Sequence, residues 1–135
     1  MEKLEIRTSD AIRALKTLED ILKEPFSVIV RDAAIQRFEY TFESVWKCLR
    51  EHLLEEEGLR CNSPKSCFRE LLAQGYLGED EVVELLEMVD SRNATSHTYR
   101  EETSDAIYAR IPAYFEAMSK ALKAVRRPAR PKKSS

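Results

Sequence analysis

Glycine is scarce, with three in 135 residues, and proline is limited to five. A chain this poor in both is neither collagen-like nor a Pro/Gly-rich low-complexity sequence, and the shortage of turn formers argues for helices. No apolar run nears the roughly 18 residues of a membrane span. The opening MEKLEIRTSD is acidic and lacks the basic and apolar regions of a secretory signal, so a cytoplasmic chain with no membrane contact is expected. Cysteine is sparse and odd in number: Cys48, Cys61 and Cys67, with no C-x-x-C pair. That suits neither a disulfide framework nor a zinc site and predicts three reduced thiols. No metal and no cofactor are expected.

What is present is charge and aliphatic side chains, 34% charged and 43% hydrophobic. The length suits one domain, and a folded chain of this mass buries roughly 68% of its extended surface, enough for one core. The net charge of −2 hides an asymmetry, because the last ten residues, RRPARPKKSS, hold five of the 22 basic side chains and no acidic one. Residues 1–125 carry 17 basic and 24 acidic groups, a net −7. A surface that acidic does not coat phosphates in general, so contact with nucleic acid needs local basic groups or the tail.

Leu4, Ala11, Ile12, Leu15, Leu18 and Leu22 recur at helical steps and predict a helix over about 3–23, ended by Pro25. Ser27 suits the N-cap of a second helix running to Glu57. Its stripe is Ile35, Phe38, Phe42, Val45, Leu49 and Leu53, and Gly58 is its stop. At 1.5 Å per residue it is about 45 Å long. Ser63-Pro64 opens a short helix over about 64–74, stopped by Gly75. Val82, Leu85, Leu86 and Val89 mark a fourth. Ile107, Ile111, Tyr114, Met118 and Leu122 mark a last one over about 102–125, which Pro112 should kink. No strand pattern occurs. The expected fold is all-α, a four- or five-helix up-and-down antiparallel bundle over 1–125, with 126–135 a basic disordered tail.

The two histidines limit the candidates for proton transfer near neutral pH. His52 falls among Glu and Leu inside the long helix and reads as a surface or half-buried side chain. His97 lies in the densest polar stretch, Asp90-Ser91-Arg92-Asn93-Ala94-Thr95-Ser96-His97-Thr98-Tyr99-Arg100. On one continuous helix Arg92 and His97 would point about 140° apart. They can meet on one ligand only if the helix ends between them or if one comes from a second subunit. Phosphodiester chemistry suits these residue types: Arg offers a permanently charged fork for a phosphoryl group, and His can take or return a proton. Internal transfer in RNA uses both an acid and a base, which a two-fold dimer would supply from two copies. The bland alternative is a helix-end cap, or an ion pair of Arg92 with Asp90 or Glu87.

Arg92-x4-His97-x-Tyr99, with Asn93 inside it, matches the R-x4-6-H motif of the HEPN family. The stretches 31–43 (RDAAIQRFEYTFE), 63–70 (SPKSCFRE) and 90–99 (DSRNATSHTY) resemble, in order, the branch called nucleotidyltransferase substrate-binding proteins. The resemblance covers about 3–125. It implies a four-helix-bundle protomer that forms a two-fold homodimer and binds a minimal nucleotidyltransferase (MNT).

In HEPN toxins the Arg and His are the catalytic pair of a metal-independent endoribonuclease. The resemblance thus implies RNA as substrate, Arg92 and His97 as catalytic residues and Asn93 as their support. The motif tyrosine, Tyr99, would accept AMP from the MNT antitoxin and silence the nuclease. The quieter alternative within the same branch is a subunit that binds the nucleotidyltransferase's substrate and does no chemistry. A third is a dimerisation module built on helix 27–57. Trp46, Phe38 and Phe42 read as core or dimer interface rather than as a base-stacking platform.

Overall fold

The computed structural model describes residues 2–127. It contains α1 (Glu2–Leu22), α2 (Val28–Glu57), α3 (Pro64–Ala73), α4 (Glu79–Ala94), a 3-10 turn (Thr95–His97) and α5 (Glu101–Arg126). Among these residues there is no strand, and no helix is long and apolar enough to cross a membrane. The tail expected over 126–135 lies, from residue 128 on, outside the described residues. Arg126 closes α5 and Arg127 is its C-cap.

Local chemistry sets the helix ends. The Ser27 hydroxyl accepts from the Val30 N–H at 3.0 Å and caps α2. At the other end Gly58 takes φ 67°, a left-handed value that a side chain would oppose. Its N–H and that of Leu59 reach back to the carbonyls of Leu54 and Leu53. Ser63 and Ser66 cap each other reciprocally ahead of α3, with Pro64 at the first helical position, where no N–H is needed. Pro112 stands exposed within α5, which stays helical through it from Glu101 to Arg126.

Helices α1 and α2 pair antiparallel, tied by Thr8 to Cys48 and by Arg37 to the Thr17 carbonyl. Arg31 meets Glu101 while Phe38 stacks on Tyr114, so α5 runs parallel to α2. The loop after α2 doubles back, and α3 then follows α2 in the same direction, with Phe42 against Phe68 and Glu57 against Tyr76. The expected α2 stripe, Ile35 to Leu53, is buried in the chain's own core together with Leu85, Met88, Ile111 and Met118. That stripe is therefore spent internally, while Val28 and Ile29 at the start of α2 stay exposed. Trp46, 8% exposed, belongs to that core and offers no stacking face. On α1 the pattern differs: Ile12 is exposed, Leu4 and Leu22 are half-buried, and Ala14 and Ile21 are buried.

The cysteines correct the expectation of three free thiols. Cys61 and Cys67 are bridged, and only Cys48 is free and buried. The spacing alone concealed this. The turn through Ser63-Pro64 folds the loop onto the first turn of α3 and brings the two Cα atoms to 5.3 Å, inside disulfide range.

Candidate functional site

Helix α4 ends at Ala94, between Arg92 and His97, and a 3-10 turn carries the chain from Thr95 to His97. The geometric condition for the two side chains to escape opposite faces of one helix is met. Thr95 makes the break. Its buried hydroxyl donates to the Arg92 carbonyl at 2.7 Å and accepts from Arg92 Nη1 at 3.2 Å. Beyond the turn, the Arg100 N–H returns to the His97 carbonyl, and the buried Ser104 donates to the Thr98 carbonyl at 2.9 Å. The segment 95–100 is thus tethered at both ends.

Its far anchor is Arg31, 3% exposed, which binds Glu101 at 2.7 Å, Asp105 at 3.0 Å and Asp32 at 3.0 Å. These carboxylates, Glu101 first, hold the Arg31 guanidinium well above its ordinary pKa, and Arg31 in turn draws Glu101 below the ordinary carboxylate value. In the sequence Arg31 stands out only as part of a family stretch. Its acidic partners lie 70 and 74 residues away on α5.

His97 and Tyr99 are exposed and neighbouring. The Tyr99 hydroxyl is 3.5 Å from His97 Nδ1, at the outer limit of a hydrogen bond, and the rings meet edge to face at 5.9 Å. Tyr99 is 74% exposed, with the Arg100 guanidinium 5.9 Å from its ring centroid. Asn93 is exposed; its carbonyl accepts from Ser96, and its side chain makes no hydrogen bond among the described residues.

Arg92 faces another way, toward α2. Nη1 lies 3.9 Å from Glu39 and Nη2 3.9 Å from Glu43, while its buried Nε has no hydrogen-bond partner. The alternative pairing of Arg92 with Asp90 or Glu87 is not formed: Asp90 binds Lys65 at 3.0 Å and Glu87 meets Arg110. Within one protomer the structure therefore groups His97 with Tyr99 and Arg92 with Thr95, Glu39 and Glu43. Glu39 and Glu43 were missed in the sequence, although their four-residue spacing places both on one face of α2. Among the described residues no three His, Cys, Asp or Glu side chains gather as a metal-ligand set.

His52 is half-buried with neither ring nitrogen hydrogen-bonded, and burial holds its pKa below the ordinary 6.5. It lies on the C-terminal half of α2, well along the helix from the motif.

Comparison with known proteins bears on the family and the fold. Residues 6–127 match the family described as nucleotidyltransferase substrate binding protein like. A probable ribonuclease HepT of Haemophilus influenzae is 33% identical over 82 residues, which is 58% of this chain and 55% of that protein. The match thus spans about half the length of that curated relative. A Thermus thermophilus protein of known structure superposes with a TM-score of 0.83 at 46% identity, covering 87% of this chain and 99% of that one. A tri-AMPylated Shewanella oneidensis HEPN toxin, solved with its MNT antitoxin, shares the fold with a TM-score of 0.73 at 14% identity. That superposition covers 91% of this chain and 96% of the toxin. The chain belongs to the nucleotidyltransferase substrate-binding-protein-like family and has the helical fold of HEPN toxins.

Proposed function

We propose that the chain is the toxin of a toxin–antitoxin pair, a metal-independent endoribonuclease silenced by a nucleotidyltransferase antitoxin. The observation that carries this reading is the end of α4 between Arg92 and His97, which leaves His97 exposed on a tethered turn. His97 would take the proton from a ribose 2′-hydroxyl. The 2′-oxygen attacks phosphorus, the bond to the 5′-oxygen breaks, and that oxygen leaves with a proton from a second imidazole. One chain has a single imidazole here, so the second comes from His97 of another copy across a two-fold axis. Arg92 turns from Glu39 and Glu43 onto the phosphate, whose charge rises in the transition state, and Asn93 supports the pair.

The same geometry suits control at Tyr99. The phenolic oxygen attacks the α-phosphorus of ATP held by the nucleotidyltransferase, the bond to the β-phosphate oxygen breaks, and pyrophosphate leaves. An AMP group on an exposed hydroxyl 3.5 Å from His97 puts bulk and negative charge where RNA must lie. The Shewanella toxin, AMPylated and bound to its antitoxin, supports the reading by likeness of fold.

A second reading is favoured by the Arg92 contacts with Glu39 and Glu43 and by the family's description. In it the chain binds the nucleotidyltransferase's substrate and does no chemistry. Expression in cells, alone and with the neighbouring nucleotidyltransferase, separates the two. Growth arrest that disappears in His97→Ala, with a mass gain in whole-AMP steps that disappears in Tyr99→Phe, supports the toxin. Unarrested growth and an unchanged mass favour the binding subunit.

A further inference from the structure

Both flanks of the turn that carries His97 and Tyr99 are fastened to one helix. The end of α4 meets α2 where Arg92 faces Glu39 and Glu43, and the start of α5 meets it at Arg31, about 12 Å before Glu39 along the helix. The two fastenings differ in quality. The Arg92 contacts are 3.9 Å long, one for each terminal nitrogen. Arg31 instead grips Glu101 with both terminal nitrogens, Nη1 at 2.7 Å and Nη2 at 3.3 Å, and Nη1 also donates to Asp105 at 3.0 Å. Its Nε donates to Asp32 at 3.0 Å, which fixes the plane of the fork on α2. Glu101 opens α5 and Asp105 follows about one turn later on the same face, so the grip sets both the height and the rotation of that first turn. The α5 N-cap, Arg100, makes no side-chain cap hydrogen bond, and the grip takes the place of one.

Stability does not account for it. Arg31 is buried, whereas the side chains of Glu101 and Asp105 are 73% and 61% exposed. Ion pairs so exposed are screened, and the guanidinium has given up its own water, so an apolar side chain of similar size would hold the bundle as well. What a bidentate fork adds is a single allowed arrangement. That arrangement reaches the motif in one short step. Ser104, between the two gripped carboxylates, is buried and donates to the Thr98 carbonyl at 2.9 Å, and Thr98 stands between His97 and Tyr99.

We infer that Arg31 is the positioning residue of the motif: through Glu101, Asp105 and Ser104 it fixes where His97 and Tyr99 stand, without itself touching RNA or nucleotide. The inference deepens the ribonuclease reading of the same site, and its kinetic part rests on that reading. His97 must come within hydrogen-bond reach of a 2′-hydroxyl and Tyr99 must reach a phosphorus atom. An error of about 1 Å in such placements costs up to about a hundredfold in rate. One guanidinium thus governs both the cleavage and its silencing.

The test compares the full chain with Arg31→Met, which removes the fork and keeps the bulk, and with Arg31→Lys, which keeps the charge alone. A third variant, Glu101→Gln with Asp105→Asn, opens the grip at two exposed positions and decides the matter should Arg31→Met fail to fold. The chain has only two histidines, so its imidazole Cε1–H spectrum holds two signals, assigned with His97→Ala. His52, about 30 Å along α2 from Arg31, reports on the fold and His97 on the turn. At fixed pH, in Arg31→Met and in the carboxylate variant, the His97 signal is expected to lose the shift it draws from the Tyr99 ring and to move toward that of a free histidine, while the His52 signal stays. On RNA, Arg31→Met should lower kcat about ten- to a hundredfold with KM within about twofold. Arg31→Lys should recover only part of the loss, since an ammonium cannot grip two oxygens in one plane.

A His97 signal that stays in place in the carboxylate variant overturns the positioning role. So does one that moves only together with His52, which marks a change throughout the bundle. An unaltered kcat in Arg31→Met, or full recovery in Arg31→Lys, overturns it too. If the unaltered chain never cleaves RNA, the ribonuclease reading falls, and the two imidazole signals still decide the role of Arg31.

Discussion

Arg92 and Glu43 are held 3.9 Å apart, nitrogen to oxygen, and Glu39 stands at the same distance from the other terminal nitrogen of the guanidinium. At that separation, and half in water, the pairs are weak and exchangeable. Any phosphate that Arg92 binds must displace them. Replacing Glu43 by Gln removes one competitor and is expected to raise RNA affinity about two- to fivefold, the equivalent of roughly 0.5–1 kcal/mol. Anisotropy titration checks this, and a weakened complex would instead show that Glu43 orients Arg92 for its task.

The Cys61–Cys67 bridge closes a short loop. Cross-linking a loop of this length stabilises by about 2 kcal/mol in the chain-entropy description. Cys61→Ser, or reduction of the bridge, is expected to lower Tm by roughly 4–8 °C. Calorimetry with and without reductant measures it. Cys48 should stay unalkylated in the native state, because burial raises its thiol pKa and covers the sulfur.

His52 introduces a pH dependence near neutrality. Burial lowers its folded pKa below the ordinary 6.5, so the unfolded chain binds the proton more readily. The stability linked to this group is complete above about pH 6.5 and is lost as pH falls through that value toward the lower folded one. His52→Gln should flatten the fall in denaturation midpoint between pH 7 and pH 5.5. A second loss begins as pH falls through the ordinary carboxylate value of 4.5 and is complete only below the lowered folded value of Glu101, where it protonates and releases Arg31.

Phe38 is fully buried and stacks on Tyr114 at 5.7 Å. Phe38→Ala is expected to cost about 3–5 kcal/mol through lost burial and the cavity it leaves. Urea titration reads it as a lower midpoint at an unchanged slope.

Much of this fold was legible because it is written in local chemistry. Ser27, Gly58, Ser63-Pro64 and Gly75 mark helix ends within a few residues of themselves, and the stripes of α2 and α5 repeat at helical steps that must face a core. The motif was legible too, since Arg92, His97 and Tyr99 are neighbours in sequence. What escaped depends on distant pairings. Arg31 finds Glu101 and Asp105 only once α5 lies along α2, and Glu39 and Glu43 become relevant only when the end of α4 crosses them. The Cys61–Cys67 bridge escaped because a six-residue spacing without a C-x-x-C pair says nothing of the turn between.

The most direct test of the ribonuclease is the chemistry of its product. Purified protein is incubated with a defined single-stranded RNA in excess chelator, and the fragment ends are identified by mass spectrometry. Fragments ending in 2′,3′-cyclic phosphate, with 5′-hydroxyl partners and none formed by His97→Ala, are expected. RNA left intact, or cut equally well by His97→Ala, contradicts the assignment of His97 and Arg92 as a nuclease pair.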